Sequence, residues 1–321
     1  MNVSMVLFFN RLKCFGHLIG FATLVFVTTQ SMSQTGPWNK VLNPHLDCVT
    51  AISTNYKANF TAIGNINGLV DVWSTSNHKY KATVANCRGS VVGLIWTDNP
   101  RSLIALGDND QNMHIWRQNN GSVQNVNLHS KSICAAKSPN DHQIAVGHRG
   151  CLEIIDIQPN ITHAVIPVKT KGLMCICWLS NRRILAGTFE GPIIEIDLVS
   201  KQVVRSLKLA YRPTNMQICR KGKCFVVAGL TKSPQVLQVS DGKVLFTLKG
   251  GTMESPICCI LDNGNCVTGS WDGSVRFWSL EDGRMTSPPF LAKQWIAAIS
   301  NAKNEHDLIV GDIKGNLYFH R

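Results

Sequence analysis

Charge is what this chain has little of. Charged residues make up 16% of it, against roughly 25% in ordinary soluble domains. Acids are the scarcer sign, with 20 Asp and Glu facing 32 Lys and Arg for a net charge of +12. That excludes an acidic solvating tail. It points to acidic partners (phosphorylated or Asp/Glu-rich peptides, nucleic acid, anionic membrane), or else to a diffuse basic surface with no specific ligand. Reactive motifs are missing as well. There is no phosphate-cradling loop, no Gly-x-Ser-x-Gly nucleophile elbow and no His-Glu-x-x-His helix, so none of the corresponding enzyme classes is indicated. No His/Cys cluster has zinc-type spacing. Cys175-Ile176-Cys177 comes nearest, but residues two apart on a strand merely share a face. The expectation is a non-enzyme with no catalytic residue, no metal and no cofactor. Aromatic residues are 7% of the chain, few for the stacking platforms that RNA recognition uses.

What the chain does have is a repeat. Its clearest copy reads Gly269-Ser270-Trp271-Asp272-Gly273-Ser274-Val275-Arg276-Phe277-Trp278. Aligning the chain on the last position of that copy gives Trp73, Trp116, Ile155, Ile196, Gln238, Trp278 and His320, at intervals of 43, 39, 41, 42, 40 and 42 residues. So steady a period reports one structural unit repeated seven times. In the sixth unit the apolar run Ile257-Cys258-Cys259-Ile260-Leu261 leads to a turn at Asp262-Asn263-Gly264-Asn265. Cys266-Val267-Thr268 follows, then a turn at Trp271-Asp272-Gly273, the alternating Val275-Arg276-Phe277-Trp278, and a turn at Glu281-Asp282-Gly283. Asn-Gly and Asp-Gly supply the positive φ angles of tight hairpins. Runs of about 4–6 apolar residues between such turns have the length of strands rather than helices. The expected fold is all-β, a seven-bladed β-propeller of four-stranded antiparallel blades.

With Ser270, Asp272 and Trp278 in this register, the chain resembles the WD-repeat family, whose blades ring a central channel. The resemblance runs approximately from Gly36 to Arg321. It implies that Ser270, Asp272 and Trp278 form the intra-blade hydrogen-bond network of the family. The second unit keeps Asp108, Asp110 and Trp116, which makes that carboxylate pair structural. The first keeps Trp73 but has Asn67 at the acidic position. Others are degenerate, with Arg149 and Ile155, Glu190 and Ile196, and Lys314 and His320 in place of the signature. The unit around Leu237-Gln238-Val239 is identified by spacing alone, and the family's Gly-His pair is nowhere intact. The last unit ends at Tyr318-Phe319-His320-Arg321, its third strand, so Trp38-Asn39-Lys40-Val41-Leu42 is expected to supply the fourth. Closing the ring in this way removes two open sheet edges. Residues 34–321 then form a single propeller.

Residues 1–33 stand apart. Arg11 and Lys13 precede an apolar run from Phe15 to Val27, and Ser31-Met32-Ser33 offers small residues before Gln34, which is the layout of a secretory signal peptide. A run of 13 residues is short for spanning a bilayer. A signal peptide, an anchor and an extension foreign to the natural product all remain open. A working leader would make Asn59, Asn120 and Asn160 glycosylation candidates and the protein a secreted or lumenal binding module. The 12 cysteines argue the other way, towards a cytoplasmic or nuclear protein, because Cys48, Cys134, Cys175, Cys177, Cys258 and Cys259 fall in inner-strand runs as compact apolar side chains. Cys219 and Cys224 are placed to bridge a hairpin in an oxidising compartment.

The loops leading into the innermost strands carry Asp47, Arg88, Lys131, Lys171, Arg212, Glu254 and Lys293, at intervals of 41, 43, 40, 41, 42 and 39 residues. In WD-repeat propellers these loops border a channel mouth used for ligand peptides. The resemblance therefore implies a ring of cations, Arg88, Lys131, Lys171, Arg212 and Lys293, able to hold carboxylate or phosphate. The simpler reading is that exposed loops carry Lys and Arg without a ligand. Trp271 would either add an aromatic contact or pack between blades. The leading functional expectation is a protein–protein interaction scaffold in a multiprotein assembly, binding an acidic or phosphorylated segment. A nucleic-acid or anionic-lipid binder is the alternative, although Asn181-Arg182-Arg183-Ile184 lacks the Phe and Gly of the phosphoinositide-binding Phe-Arg-Arg-Gly motif. Membrane partners are expected only if the leader is retained.

Overall fold

A computed structural model describes residues 38–320 apart from Leu46, Tyr56, Ala58, 99–100, 158–160 and 301–304. The leader of residues 1–33 and the sequon residue Asn160 lie outside the described residues. Described residues hold seven four-stranded antiparallel sheets, one 3-10 turn at Glu305–Asp307 and no α-helix. The first blade runs outwards through Val49–Asn55, Phe60–Asn65, Leu69–Ser74 and Tyr80–Asn86. Blades two to six repeat that order from inner strands Val91–Asp98, Cys134–Lys137, Leu173–Ser180, Pro213–Ile218 and Ile257–Ile260. Trp73, Trp116, Ile155, Ile196, Gln238, Trp278 and His320 all fall on the third strand of a blade.

The seventh blade is closed by both ends of the described chain. Trp38–Leu42 pairs antiparallel with Asn316–His320, placing Trp38 opposite His320, while Ile309–Asp312 and Ile296–Ile299 complete the sheet. The Trp38 indole stacks on Phe290 of the sixth blade with ring centroids 4.2 Å apart. Closure across the seam is also apolar: Val49, Ile63 and Trp73 of the first blade pack with Ile309, Leu317 and Phe319 of the seventh.

Burial explains which strand is which. Middle strands are covered on both faces by neighbouring blades, as in Leu69–Ser74, while the outer strand Tyr80–Asn86 is largely exposed. The core therefore lies between blades, where the hydrophobic effect works on stacked sheets. Gly64, Gly107, Gly147, Gly187, Gly229, Gly269 and Gly311 recur at or next to the end of the second strand in every blade. A Cβ on Gly269 would sit 2.6 Å from Ile296 Cγ2, and one on Gly311 would sit 2.5 Å from Val49 Cγ1. At such positions the bare backbone is what lets the next blade approach.

Hydrogen bonds near the channel tie the inner strands together. The Trp96 indole donates to the Ser53 carbonyl at 2.9 Å, the Lys137 ammonium to the Trp96 carbonyl at 2.8 Å, and the Trp178 indole to the Ala136 carbonyl at 3.1 Å. Further round, the Ile260 amide donates to Gln217 Oε1 at 2.8 Å. Cys48, Cys134, Cys175, Cys177, Cys258 and Cys259 are all buried. Burial pushes the Cys87 and Cys177 thiols up to about 12. Cys219 and Cys224 are joined in a disulfide across their hairpin.

Candidate ligand-binding face

Every inner strand starts on the same side of the ring, so the loops that precede them share one mouth. Asp47, Arg88, Lys131, Lys171, Arg212, Glu254 and Lys293 all lie in those loops. Acidic side chains of the turn between the second and third strands, or of the third strand itself, hold several of the loops in place. Asp108 Oδ1 accepts the Ser90 amide at 2.9 Å and Asp110 Oδ2 accepts the Arg88 amide at 2.9 Å. Glu190 accepts the Lys171 amide at 2.6 Å, and Asp272 accepts the Thr252 amide at 2.9 Å. In the third blade the buried Glu153 accepts the His129 amide at 3.1 Å. These carboxylates fix backbone, which leaves the cationic side chains to the solvent.

The five cations are not equivalent. Arg88, Lys131, Lys171 and Lys293 are exposed, and among the described residues none of the four has a carboxylate at ion-pair distance. Lys131 donates to Asn109 Oδ1 at 2.5 Å. Arg212 is half-buried: its Nε donates to the Phe189 carbonyl at 2.8 Å and its guanidinium lies 3.9 Å over the Phe189 ring. Burial lowers its pKa. Arg212 thus packs the fourth blade against the fifth instead of pointing freely at a ligand. Trp271 stacks on Trp295 at 5.3 Å, both half-exposed, so one indole of the pair is already used by the other.

The buried acids carry their own chemistry. Burial works against ionisation of Glu153, and hydrogen bonds from His148 and His163 outweigh it, bringing the carboxyl down to about 2. Asp272 is likewise held well below the usual carboxylate range, where the Arg276 and Ser274 hydrogen bonds outweigh burial. In the sixth blade the Trp278 indole donates to Thr268 Oγ1 at 2.8 Å. The partner is therefore Thr268 and not Ser270. Register explains the difference: Cys266 lies opposite Trp278, which brings Thr268 alongside, whereas Ser270 is past the strand end and donates to the Glu254 carbonyl at 2.9 Å. Asp272 pairs with Arg276 at 3.0 Å within the same blade. Trp73 is buried with its indole nitrogen unpartnered, and Trp116 meets Trp96 edge-on at 6.4 Å.

Two openings flank the channel axis. On the loop side a cleft of about 700 Å³ lies between the second and third blades, lined by Asp108, Asn109, His129, Lys131 and Arg149 among others. On the opposite side a cavity of about 790 Å³ is walled by Trp96, Trp178, Lys57, Lys137 and Arg220. There each lining cation meets an acid: Lys57–Asp98 at 2.7 Å, Lys137–Asp141 at 2.7 Å and Arg220–Asp262 at 3.1 Å. Described residues hold no group of three or more potential metal ligands, and no helix among them is long and apolar enough to cross a membrane.

The fold defines a seven-bladed β-propeller. Residues 242–279, which hold most of the sixth blade, match the family model "WD domain, G-beta repeat". One stretch of the seven-bladed ring is thus a WD repeat by that match. The chain is similar to autophagy-related protein 16 of Arabidopsis thaliana, 20% identical over 262 residues that make up 76% of this chain and 51% of that protein. It is also similar to the periodic tryptophan protein 2 homolog of Caenorhabditis elegans, 27% identical over 179 residues, 53% of this chain and 19% of that protein. The chain thus spans about half the length of the first relative and about a fifth of the second.

Proposed function

We propose that this propeller is a non-enzymatic interaction scaffold inside the cell, holding an acidic or phosphorylated segment of another protein on its loop face. The observation that carries this reading is the contrast between the two mouths. Cations on the far mouth are paired with acids at 3.1 Å or less, while Arg88, Lys131, Lys171 and Lys293 ring the loop mouth without a carboxylate at that range among the described residues. Unneutralised charge around a concave opening focuses potential and draws anions in. Similarity to an autophagy-related protein and to a periodic tryptophan protein is compatible with a role in a multiprotein assembly. The test is binding of a panel of acidic and phosphorylated peptides to immobilised protein at rising salt. Binding should weaken with salt and disappear in Arg88→Glu/Lys131→Glu/Lys171→Glu. Arg212 is left out of that set because it packs against Phe189. Peptide binding that survives both perturbations would refute the proposal.

A second reading is a lumenal or secreted module, and the Cys219–Cys224 disulfide favours it. Asn120, exposed in the turn where its Oδ1 accepts the Ser122 amide and hydroxyl, and the exposed Asn59 would be accessible acceptors for sugar. Intact mass of the native protein, before and after reductant and glycosidase, separates the two compartments. Sugar on Asn120 would move the protein into the secretory pathway.

A further inference from the structure

We infer that the cavity at the far mouth is a binding site for a small neutral molecule, one with an apolar body and carbonyl-type acceptors. The inference is independent of the acidic-ligand reading, which concerns the other mouth. At about 790 Å³ the cavity falls within the roughly 300–1,000 Å³ of ordinary small-molecule sites. Ile95, Trp96, Ile176, Trp178, Met216 and Ile260 give it apolar walls. Both indoles are held in place, since Trp96 donates to the Ser53 carbonyl and Trp178 to the Ala136 carbonyl.

Two primary amides supply the polar groups. Asn215 and Gln217 lie two apart on the strand Pro213–Ile218 and so share a face, and both line the cavity. The Ile260 amide donates to Gln217 Oε1 at 2.8 Å. A backbone N–H only donates, so this bond fixes which end of the Gln217 amide is oxygen. The Cys258 thiol donates to Asn215 Oδ1 at 3.1 Å, and burial, which raises its pKa well above the usual value, keeps its proton on. Each oxygen is thereby committed to the sixth blade. Asn215 Nδ2 and Gln217 Nε2 have no bond to any described residue, and both side chains are half-buried.

Ties between the other inner strands leave no such donors. An indole has a single N–H, and in Trp96 and Trp178 it is already used. The Lys137 ammonium is divided between the Trp96 carbonyl and Asp141. Nor does the rim favour a charged ligand, because Lys57 pairs with Asp98 at 2.7 Å and Arg220 with Asp262 at 3.1 Å. Burial pushes the Cys177 thiol in the wall up to about 12, so it too is neutral. A carboxylate entering here would lose hydration and meet only cations already paired with acids. A plain hydrocarbon would strip water from the two NH2 groups and return nothing. A neutral carbonyl satisfies the NH2 groups and leaves its apolar remainder against the indoles.

Ligand-observed NMR on the full chain reads affinity for three matched fragment sets: neutral aromatic lactams and amides, the same frameworks with methylene in place of carbonyl, and the same frameworks bearing carboxylate. Wild type should prefer the neutral carbonyl set over either of the others by about fivefold or more. Gln217→Glu and Asn215→Asp keep an oxygen for Ile260 and Cys258 but put a second oxygen where the NH2 stood. Each should cut affinity for the carbonyl set by about fivefold or more. Gln217→Met, which has no donor and adds no charge, should do the same and serves if Gln217→Glu fails to fold. Lys171→Glu, on the loop mouth, should leave that affinity unchanged. Carbonyl binding that survives Gln217→Glu and Gln217→Met, or methylene analogues that bind as tightly, would overturn the site. So would wild-type protein that binds none of the sets at millimolar concentration; capped extended tripeptides binding in their place would assign the mouth to a chain segment instead.

Discussion

Substituting Gly269 by Ala tests the reason the blades pack as they do. The added Cβ would lie 2.6 Å from Ile296 Cγ2 and 3.0 Å from Ile299 Cδ1, well inside the roughly 3.5–4.0 Å of favourable carbon contact. Ile296 is fully buried at the start of the next blade's inner strand, so it has little room to yield. Overpacking of this sort costs about 1–3 kcal/mol. A more restricted unfolded chain returns about 0.4–1 kcal/mol, leaving a net loss of about 1–2 kcal/mol. The cause can be isolated with Ile296→Ala, which deletes the colliding Cγ2 and by itself costs about 2–5 kcal/mol. Urea denaturation followed by tryptophan fluorescence, with refolding overlaid, gives the four corners of the cycle. In the Ile296→Ala background the cost of Gly269→Ala should fall by about 1 kcal/mol or more, with the Ile299 Cδ1 contact at 3.0 Å remaining. An equal cost in both backgrounds would refute the close-approach argument.

Three further outcomes are expected. Because the Trp278 indole is bonded to Thr268 and that of Trp73 is unpartnered, Thr268→Val should cost about 1 kcal/mol or more. Trp73→Phe should show no hydrogen-bond loss beyond that of its smaller ring, and denaturation midpoints compare them. Glu153 has a folded-state pKa depressed from 4.5 to about 2, so its contribution is present above the unfolded value and vanishes as pH falls through the folded one. Stability should drop between about pH 4.5 and pH 2, by on the order of 3 kcal/mol from this group, and Glu153→Gln should flatten that acid limb in denaturation measured across the range. The buried thiols, including Cys87 and Cys177 with pKa values near 12, should resist maleimide until the protein unfolds, while Cys219 and Cys224 should label only after reduction; peptide mass mapping reads both.

Much of the ring was legible because a propeller writes its period into the chain. Trp116 and Trp278 mark equivalent third strands, and even Gln238, with no signature of its own, falls on one. The closing strand was legible from a count: a last unit one strand short and a spare Trp38–Leu42 before the first. What escaped was the choice of partner within a register. Ser270 and Thr268 are two residues apart and differ only in which lies beside the Trp278 ring, a matter of strand pairing. The role of Arg212 escaped for a similar reason, since its partner Phe189 sits 23 residues away on another blade. The recurring second-strand glycines, spaced by 43, 40, 40, 42, 40 and 42 residues, were a second periodic signal that reading by tryptophan alone leaves unused. The His148–Glu153–His163 node had no such signal, because it belongs to one blade only.

The most direct test of the central claim is quantitative cross-linking and co-purification mass spectrometry from native cells, comparing wild type with Arg88→Glu/Lys131→Glu/Lys171→Glu at low and raised salt. The account predicts a set of acidic or phosphorylated partners that is lost from the folded variant and thinned by salt in the wild type. The same partners held by both proteins at both salt concentrations would contradict it.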